Sequence, residues 1–368
     1  MSRAWLEIDV DAIACNTRAL LDHSKASQLC GVIKANGYGH DSVLAAQGAL
    51  QGGASFLAVA QVEEGVRLRQ AGIKAPIWLL GEPSAEEFDA VAEFFLEPTL
   101  SSDARRIAAR VAAKRSGRIM PVHVNADTGM HRSGQASNAA LSFLQVLTDC
   151  PELHVASLWT HLAVGDEPDN PYTTIQLDRF DALLDHVKAA GLRPPIIHAA
   201  NSGGTVGEPR SHYDVVRPGL SIYGIEPSPT MSGLIDLKPA LRLVTRVSSV
   251  RRLNAGDRVG YGQQGVVNKP STAATIPIGY ADGIRRESWQ REIEVLIGGQ
   301  RRPLLGRVSM DQIVIDCGDQ PVEQGDEVVL IGAQGANTIT VEEVAAKLGT
   351  ITNEVVCDLG IRLDRLPR

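Results

Sequence analysis

Eight short apolar runs alternate with longer stretches of helical periodicity as far as Gly224, and this alternation constrains the fold more than any other feature. The runs cover residues 29–33, 56–60, 76–80, 93–97, 120–125, 154–160, 196–200 and 213–216. Amphipathic stretches between them include residues 62–71, 103–114 and 174–190. Strands that alternate with helices pair in parallel through right-handed crossovers, and eight such repeats close a barrel. We therefore predict an α/β fold with a TIM-like (β/α)8 barrel over residues 1–230.

An open, doubly wound parallel sheet is the competing architecture for the same alternation. Such sheets often carry a glycine-rich dinucleotide fingerprint or a P-loop after a strand. Neither motif follows any of the eight runs. The sequence therefore favours the barrel, whose active site would be assembled at the C-terminal ends of the strands.

Beyond Pro227 the alternation gives way to short β-rich runs separated by turns that contain Gly and Pro. Residues 227–233 have the composition of a linker, and the runs cover residues 245–253, 272–278, 293–297, 303–308, 312–316 and 327–331. This pattern predicts a C-terminal, mainly antiparallel β domain over residues 231–368. Near its end, Thr340 and Glu343 have the spacing of a capping box, which predicts a short helix through Leu348.

The charge and cysteine content argue against several classes of partner. The net charge of −7 and the pI of about 5.8 offer no basic surface to nucleic acid or to an anionic membrane. Five cysteines, an odd number without metal-ligand spacing, predict a reducing compartment and no metal site. The N-terminal residues do not form a signal peptide, and no apolar run reaches membrane length. We expect a cytoplasmic enzyme that acts on small molecules.

Lys34 ends the first apolar run and precedes a glycine-broken turn that contains Tyr38 and His40. A lysine amine beside an open turn can form a Schiff base with an aldehyde. The amides of the turn, the Tyr38 hydroxyl and the N-terminus of the following helix suit a phosphate. An aldehyde and a phosphate in one ligand indicate pyridoxal 5′-phosphate as a cofactor. Taken alone, the pattern has a commoner explanation, a surface lysine at the entry to a helix.

Polar side chains follow five of the eight predicted strands at their C-terminal ends. Besides Lys34, they are Asn125, Asp127 and Arg132 after the fifth run, His161 after the sixth, His198, Asn201 and Ser202 after the seventh, and Arg217 after the eighth. Each has an ordinary explanation when taken singly, such as a core histidine or an ion-paired arginine. Because the C-terminal ends of the strands meet at one end of a barrel, their convergence predicts an active site.

Together with segments from the C-terminal region, these residues give the chain a resemblance to the alanine racemases over nearly its whole length. The matching segments include residues 32–40 (Val-Ile-Lys-Ala-Asn-Gly-Tyr-Gly-His), 127–132 (Asp-Thr-Gly-Met-His-Arg), 198–202 (His-Ala-Ala-Asn-Ser), 216–220 (Val-Arg-Pro-Gly-Leu), 259–262 (Val-Gly-Tyr-Gly) and 306–311 (Gly-Arg-Val-Ser-Met-Asp). The first and last of these are highly specific in combination. The resemblance implies a barrel followed by a β domain, pyridoxal 5′-phosphate as the cofactor, and alanine as the substrate.

The resemblance also implies the catalytic and cofactor-binding residues. Lys34 would bind the cofactor covalently and act as one catalytic base. Tyr261 would be the other base, and the partner subunit of a homodimer would supply it. Arg217 would donate to the pyridine nitrogen, with His161 against the ring and His198 behind Arg217. The remaining cofactor contacts would be Arg132 at the phenolic oxygen and Tyr38, Asn201, Ser202, Gly219 and Leu220 at the phosphate.

The substrate contacts implied by the resemblance include two positions of interest for specificity. The implied set is Arg132, Tyr280, Met310, Asp311 and Asn353. Many relatives carry a tyrosine at the position of Asn353, where it helps to close the pocket over the substrate methyl. They also carry a carbamate-modified lysine at the position of Asn125, which braces Arg132. Because Asn125 is neutral, Arg132 either needs another anion such as chloride or is less constrained. Because Asn353 replaces a tyrosine, a serine racemase or a racemase of broader specificity remains an alternative.

Three other classes of protein remain as alternatives. A non-catalytic pyridoxal phosphate carrier would share the barrel but would lack the β domain that holds Tyr261. A pyridoxal phosphate decarboxylase would share both domains, but it would set an acidic residue against the pyridine nitrogen where this chain has Arg217. A barrel protein without this cofactor is the most remote alternative.

Overall fold

The computed structural model describes residues 3–368, which divide into two compact units. One unit comprises Asp11–Gly37 and Ser42–Lys238. The other comprises the described residues up to Val10 together with Tyr38–Asp41 and Pro239–Arg368. The two are referred to below as the barrel unit and the C-terminal unit.

The barrel unit contains eight parallel strands that neighbour one another in chain order. They are Gln28–Val32, Phe56–Val59, Ile77–Leu79, Leu96–Leu100, Met120–Asp127, Leu153–Trp159, Ile196–His198 and Val215–Val216. The eighth strand pairs with the first through Val215 and Gln28. Between the seventh and eighth strands, the Arg217 amide donates to the Ala200 carbonyl at 2.9 Å. The predicted (β/α)8 barrel is therefore confirmed.

One helix precedes the first barrel strand, and the others connect successive barrel strands. They are Val10–His23, Ser42–Gln51, Val62–Gln70, Phe88–Glu93, Asp103–Ser116, Ser137–Thr148, Tyr172–Ala189 and Ser202–Gly207. Short 3-10 turns cover Ala85–Glu87, Pro209–Ser211, Leu220–Tyr223 and Pro229–Met231, and the small strand Gln135–Ala136 pairs with Met120–Asp127. In Asp103–Ser116, the Ser102 hydroxyl caps the start, left-handed Gly117 ends the helix, and Ala109 and Ala113 are buried.

The fourth barrel strand begins later than predicted. The sequence placed it at residues 93–97, whereas the strand is Leu96–Leu100 and Glu93 is the last residue of the preceding helix. Phe95 has a φ of 53°, so the chain leaves the helix through a left-handed residue before the strand begins. The apolar run therefore belongs partly to the helix end.

The C-terminal unit is a mainly antiparallel β domain, as predicted. Its strands are Ala4–Ile8, Leu241–Arg246, Ser249–Leu253, Arg258–Val259, Gly265–Val266, Ser271–Ile276, Glu294–Ile297, Gln300–Pro303, Ile313–Gly318, Glu327–Gln334, Asn337–Ile339 and Asp364–Pro367. Ala4–Ile8 lies between Leu241–Arg246, to which it is antiparallel, and Asp364–Pro367, to which it is parallel. Residues near both ends of the chain therefore share one seven-stranded sheet.

Two of the predicted β runs in this unit are corrected by the structure. The run 245–253 is divided between Leu241–Arg246 and Ser249–Leu253. The run 303–308 does not form a strand of its own, because Pro303 ends the strand Gln300–Pro303 and Leu304 then forms only an isolated bridge with Ile315. Gly306 has a φ of 82°, a left-handed conformation that interrupts extended structure.

The helix predicted from the capping box is present as Val341–Leu348. The Thr340 hydroxyl accepts a hydrogen bond from the Glu343 amide at 3.1 Å, and left-handed Gly349 ends the helix. Thr352–Cys357 forms a second short helix after it. Across the described residues, no helix combines the length and the apolar character needed to cross a membrane.

Candidate active site

The turn after the first barrel strand has an unusual backbone. Residues 35–39 all have positive φ angles, between 51° and 79°. Only two of these five residues are glycines, so the conformation is strained and needs support from its surroundings. Part of that support comes from the Asn36 side chain, which accepts a hydrogen bond from the Ser42 amide at 3.1 Å. The predicted glycine-broken turn between Lys34 and Ser42 is confirmed.

Glu64, which was not predicted from the sequence as a site residue, supports the other side of this turn. One carboxylate oxygen accepts from the Ala35 amide at 2.6 Å. The other accepts from the amides of Ala60 and Gln61 at 2.8 and 3.1 Å. The capping-box spacing of Gln61 and Glu64 was the available signal. The residue after Lys34 is thereby tied to the end of the second barrel strand.

Lys34 lies at a cavity of about 290 Å³ at the C-terminal end of the barrel strands. The candidate residues that line this cavity are Lys34, Asn125, Asp127, Arg132 and His161. These five residues follow three different barrel strands, the first, fifth and sixth, so the C-terminal ends of these strands contribute to one cavity. Leu80 and Gly81, which follow the third strand, complete part of the wall.

Arg217 is a buried cation, 3 % exposed, and its contacts are with neutral groups. It donates from Nη1 to His198 Nδ1 at 2.6 Å and from Nη2 to the Thr160 carbonyl at 3.0 Å. Nη2 also lies 3.4 Å from His161 Nδ1, and the guanidinium carbon lies 4.9 Å from the centre of the Trp159 ring. Burial lowers the pKa of Arg217 to about 10, which leaves the guanidinium charged at neutral pH.

The two histidines that contact Arg217 are held neutral. Burial, followed by the charges of Arg217, Arg132 and Lys34, lowers the pKa of His161 to about 3. Burial and the Arg217 charge also hold the pKa of His198 well below its usual value. Because Arg217 can only donate, Nδ1 of each ring must accept, and the ring proton is therefore on Nε2.

The candidate phosphate-binding residues of the barrel unit converge at Ser202. Its hydroxyl oxygen accepts hydrogen bonds from the amides of Gly219 and Ser221 at 3.0 and 3.3 Å. Asn201 precedes it, accepts from the Gly204 amide at 3.0 Å and caps the helix that Ser202 begins. Leu220 is the first residue of the adjacent 3-10 turn. Amides gathered in this way are suited to an anionic group.

The loop after the fifth strand is shaped by Asn125 and Asp127. The Asn125 amide donates to the Ser133 carbonyl at 3.3 Å. Asp127 accepts from the amides of Gly129 and His131, each at 3.0 Å. Burial opposes ionisation of Asp127, but these hydrogen bonds outweigh it and lower the pKa of the carboxyl group. Both side chains thus order the loop that carries Arg132, itself exposed.

The remaining candidates belong to the C-terminal unit. Tyr261, Tyr280 and Met310 carry large side chains that are 68 %, 41 % and 52 % exposed. The amide of Tyr280 donates to the Ser309 carbonyl at 3.0 Å, so Tyr280 and Met310 lie on adjoining segments. Tyr261 lies on a separate turn between left-handed Gly260 and Gly262.

Asp311 adjoins Met310 in an ion-pair network. Its carboxylate contacts Arg362 at 2.6 Å, and Arg362 in turn lies 3.3 Å from the fully buried Asp282. Asp282 also pairs with Arg3 at 2.7 Å and accepts from the Gly279 amide at 2.9 Å. The network fixes the segment that precedes Tyr280. The two other candidates of this unit lie elsewhere in the chain: Tyr38 in the turn of residues 35–39 and Asn353 in the helix Thr352–Cys357.

Behind His198, three polar side chains that the sequence analysis missed continue into the barrel. His198 Nε2 lies 2.9 Å from the Ser157 hydroxyl, which lies 2.6 Å from His123 Nδ1. His123 Nε2 lies 3.2 Å from the Glu97 carboxylate. Their strands also contain other polar residues, such as Asn125 in the strand of His123, so no local pattern distinguishes the three, and only the barrel brings them together.

Two parts of the chain match the two domains of one known protein family. Residues 8–227 match the family described as alanine racemase, N-terminal domain, and residues 240–367 match alanine racemase, C-terminal domain. A protein named alanine racemase from Symbiobacterium thermophilum is 43 % identical over 99 % of this chain and 97 % of its own.

Solved structures agree with the sequence comparison. The alanine racemase of a D-cycloserine-producing Streptomyces lavendulae matches with a TM-score of 0.94 and 34 % identity, over 100 % of this chain and 97 % of that one. A histidine racemase from Leuconostoc mesenteroides matches with a TM-score of 0.92 and 28 % identity, over 100 % of this chain and 98 % of that one. The cavity at Lys34 and the buried Arg217 therefore belong to an enzyme of the alanine racemase family.

Proposed function

We propose that this enzyme uses pyridoxal 5′-phosphate to interconvert L- and D-alanine. The observation that carries the proposal is the cavity lined by Lys34 and His161, with the buried Arg217 in contact with His161. Relatives named alanine racemase, one of them 43 % identical, support alanine as the substrate.

The side chains at the strand ends fit this cofactor. Arg217 is a buried cation among neutral groups, which suits a donor to an unprotonated ring nitrogen. The amides that converge on Ser202, with Asn201, Tyr38, Gly219 and Leu220, would hold the phosphate. Lys34 would hold the cofactor covalently, and Arg132 would contact its phenolic oxygen. When bound, the cofactor supplies an electron sink for the substrate's α-carbon.

Two residues on opposite faces of the substrate α-carbon would move the proton. Racemisation removes a proton from one face of the α-carbon and returns one to the other, so two opposed bases complete it without rotation of the substrate. Lys34 would serve one face and Tyr261 of the partner subunit the other. Free lysine and tyrosine side chains have pKa values of about 10.4 and about 10, so each base needs surroundings that favour its deprotonated form. The positive charges of Arg132 and Arg217 would disfavour an ammonium group at Lys34.

His161 would provide the corresponding support for Tyr261. Its Nδ1 accepts from Arg217, and its pKa of about 3 keeps the ring neutral, so the only ring proton is on Nε2. That proton can be donated to the phenolic oxygen of Tyr261 when the tyrosine carries negative charge. Through His161, the buried cation Arg217 would thus stabilise negative charge on Tyr261 without transfer of a full proton.

Arg217 would also influence which reaction occurs. A carboxylic acid beside the ring nitrogen can share a proton with it, whereas a guanidinium can only donate a hydrogen bond and stays protonated. The ring nitrogen would therefore remain unprotonated, and the electron sink would be weaker. Weaker electron withdrawal favours rapid return of the proton to the α-carbon over transamination, and it distinguishes this site from that of a decarboxylase.

A homodimer with two equivalent sites would complete the enzyme. Tyr261, Tyr280 and Met310 are exposed apolar or aromatic side chains, a composition typical of surfaces that contact another protein. In an isologous dimer each C-terminal unit would present them, with Asp311, to the site of the partner subunit. Substrate would then contact residues of both subunits.

A serine or broader-specificity racemase is the second candidate, and Asn353 favours it. Asn353 is partly buried in the helix Thr352–Cys357 and carries a short amide. A short amide leaves more room than a tyrosine and offers hydrogen bonds to a hydroxymethyl group. The likeness to a histidine racemase indicates that this fold also supports larger substrates.

Chiral analysis of the reaction products tests the proposal. The purified enzyme, loaded with pyridoxal 5′-phosphate, is incubated with L-alanine or L-serine, and both enantiomers and any amine or keto acid are quantified. We expect D-alanine as the main product and slower formation of D-serine. Formation of ethylamine from L-alanine would instead indicate a decarboxylase, and absence of any product with bound cofactor would indicate a carrier.

A further inference from the structure

A continuous polar chain crosses the barrel behind Arg217. Glu97 lies on the fourth strand, His123 on the fifth, Ser157 on the sixth and His198 on the seventh, and Arg217 follows the eighth. The side chain of Glu97 is 18 % exposed and that of His123 is 2 % exposed, whereas Ser157 is fully buried. Each residue thus contacts a residue of the neighbouring strand.

The hydrogen bonds of this chain have one consistent direction. Arg217 can only donate, so His198 accepts at Nδ1 and carries its proton on Nε2. The Ser157 oxygen accepts that proton and donates its own to His123 Nδ1. His123 then carries its proton on Nε2 and donates it to Glu97, which as a carboxylate can only accept. A donor at one end and an acceptor at the other therefore fix both histidine tautomers.

The two rings are also held in orientation. Trp78 stacks on His198 with ring centres 4.9 Å apart and lies 5.0 Å from His123. Trp159 also stacks on His198, with ring centres 5.8 Å apart and planes only 8° apart. Neither imidazole can turn over without displacing an indole. Because the rings cannot turn over freely, the donor Arg217 and the acceptor Glu97 set the direction of the hydrogen bonds.

At Glu97, the series of hydrogen-bonded side chains reaches a second cavity of the barrel unit. This cavity has a volume of about 310 Å³, and Glu97 lies in its wall with Pro76, Met120 and Pro121. These residues lie at the starts of strands, whereas Lys34 and His161 lie at strand ends. The carboxylate that terminates the chain is therefore near solvent at the end of the barrel opposite the active site.

We propose that Glu97, His123 and Ser157 form a positioning relay that fixes the Nε2-protonated tautomer of His198 and thereby holds Arg217 against His161. None of the three contacts the cavity at Lys34, so they are positioning residues and not catalytic ones. If the relay were reversed, His198 would present an N–H to the Arg217 guanidinium. Two donors would then face each other in a buried site, which is strongly unfavourable.

The tautomers are a property of the protein alone, and only their effect on catalysis rests on the proposed function. Protein labelled with ¹⁵N-histidine and freed of cofactor is examined by NMR. We expect Nδ1 of His198 and of His123 to give the resonance of an unprotonated nitrogen, and Nε2 of each to give that of a protonated one. Protonation of either ring at Nδ1 would overturn the relay, because the hydrogen bonds could not then run from Arg217 to Glu97.

His212 provides an internal reference for this measurement. Its Nδ1 accepts from the Lys25 amide at 2.8 Å, and its Nε2 lies 3.2 and 3.0 Å from the carbonyls of Gly204 and Thr205. Main-chain partners therefore fix the same tautomer in His212 without any relay. Unchanged His212 resonances in each variant would show that the barrel is folded.

A double-mutant cycle tests the coupling between the ends of the relay. Glu97→Ala should shift the His198 nitrogen resonances when Ser157 is present and should leave them unchanged in the Ser157→Ala background. Equal shifts in both backgrounds, or no shift in either, would contradict the proposal because the influence of Glu97 would not pass through Ser157.

The catalytic consequence is measured separately with the cofactor-loaded enzyme. Loss of one buried hydrogen bond changes an equilibrium by about fivefold to tenfold. Ser157→Ala should therefore lower kcat by about that factor with little change in KM, because substrate does not contact the relay. Ser24→Ala, which removes a hydroxyl bonded to the Leu21 carbonyl, is the matched control and should leave kcat unchanged. An unaltered kcat in Ser157→Ala would refute a positioning role, whereas inactivity of the wild-type enzyme would refute only the proposed function.

Discussion

Arg217, His161 and His198 illustrate at the scale of single residues how one buried charge sets the state of its neighbours. The guanidinium has only donors, so both imidazoles must offer it an acceptor. Burial disfavours their charged forms, and repulsion from Arg217 adds to that effect. The site therefore combines a permanent cation with neutral hydrogen-bonding groups, an arrangement suited to a ligand with a basic ring nitrogen.

The first prediction concerns Lys34, the amine at the cavity. Lys34→Ala should abolish covalent retention of the cofactor after borohydride reduction and should lower racemisation by several orders of magnitude, because one base and the covalent anchor are both lost. Mass spectrometry of the reduced protein and chiral analysis are the measurements. Lys74→Ala, at an exposed lysine of the same unit, is the control and should retain both properties. A reducible adduct in Lys34→Ala would contradict the assignment.

The second prediction concerns Asn353 and specificity. A methylene-sized difference in a pocket contributes only about 1–3 kcal/mol, so alanine should remain the better substrate while serine is racemised measurably. Asn353→Tyr should raise the ratio of the kcat/KM values for alanine and serine, because the phenol fills space that the hydroxymethyl group would use. If the ratio stays the same or falls, Asn353 does not shape the pocket.

At the scale of structural elements, the turn of residues 35–39 shows how a strained backbone is kept in place. Gly39 has a φ of 79°. Its backbone also lies so close to Val356 that a methyl group at Gly39 would collide with the Val356 carbonyl oxygen. The carbonyl of Gly39 accepts from Arg365 at 2.9 Å. Glycine is therefore required for two separate reasons, backbone conformation and close approach.

The third prediction separates those two reasons by comparing Gly39→Ala with Gly72→Ala. Gly72 has a φ of 88°, and a methyl group there would contact nothing within 4 Å. Both variants should lose about 1–2 kcal/mol of stability from the left-handed backbone. Gly39→Ala should lose about 1–3 kcal/mol more from the collision and should also bind the cofactor more weakly. Equal losses in urea unfolding would indicate that the contact with Val356 relaxes freely.

At the scale of the whole molecule, the candidate residues are divided between the barrel unit and the C-terminal unit. Lys34 and Arg217 belong to the first, and Tyr261 and Tyr280 belong to the second. The proposed sites therefore require both units, and the proposed homodimer requires them from different subunits. This division makes subunit composition a test of mechanism.

The fourth prediction is that two inactive variants restore activity when they are mixed. In a heterodimer of Lys34→Ala and Tyr261→Phe subunits, one of the two composite sites retains both bases. Mixed and re-equilibrated samples should therefore recover a fraction of wild-type racemisation, measured by chiral analysis. Subunit exchange is verified with differently tagged chains. If exchange occurs and no activity returns, Tyr261 acts within its own chain.

The fifth prediction concerns stability against pH. The pKa of His161 falls from 6.5 to about 3 in the folded protein, and the pKa values of His198 and His212 are also lowered. Below pH 6.5 the unfolded chain therefore binds protons that the folded chain does not. The stabilisation is complete above pH 6.5 and is lost as the pH falls, by about 1.4 kcal/mol per pH unit for each such histidine.

His212 lies outside the proposed site and allows this linkage to be measured. His212→Gln should reduce proton uptake on urea unfolding at pH 5.5 by up to about one proton, because one neutral buried imidazole is removed. Equal uptake in wild type and His212→Gln would show that His212 is protonated in the folded protein.

The sequence by itself determined the features that depend on local pattern. Alternating apolar and amphipathic runs predicted the barrel, the spacing of Thr340 and Glu343 predicted a helix, and the residues after Lys34 predicted a glycine-broken turn. These features follow from side-chain periodicity and backbone preference within a few residues. The candidate residues that line the cavity were predicted because parallel strands bring their ends together.

Features that depend on partners distant in sequence became evident only in the three-dimensional structure. The strand Ala4–Ile8 lies between Leu241–Arg246 and Asp364–Pro367, and no local pattern specifies which strands will pair. The hydrogen bonds that join Glu97, His123 and Ser157 exist only because the barrel brings neighbouring strands into register. A buried polar group needs a partner, but the sequence does not say which one, because that choice is made by packing in three dimensions.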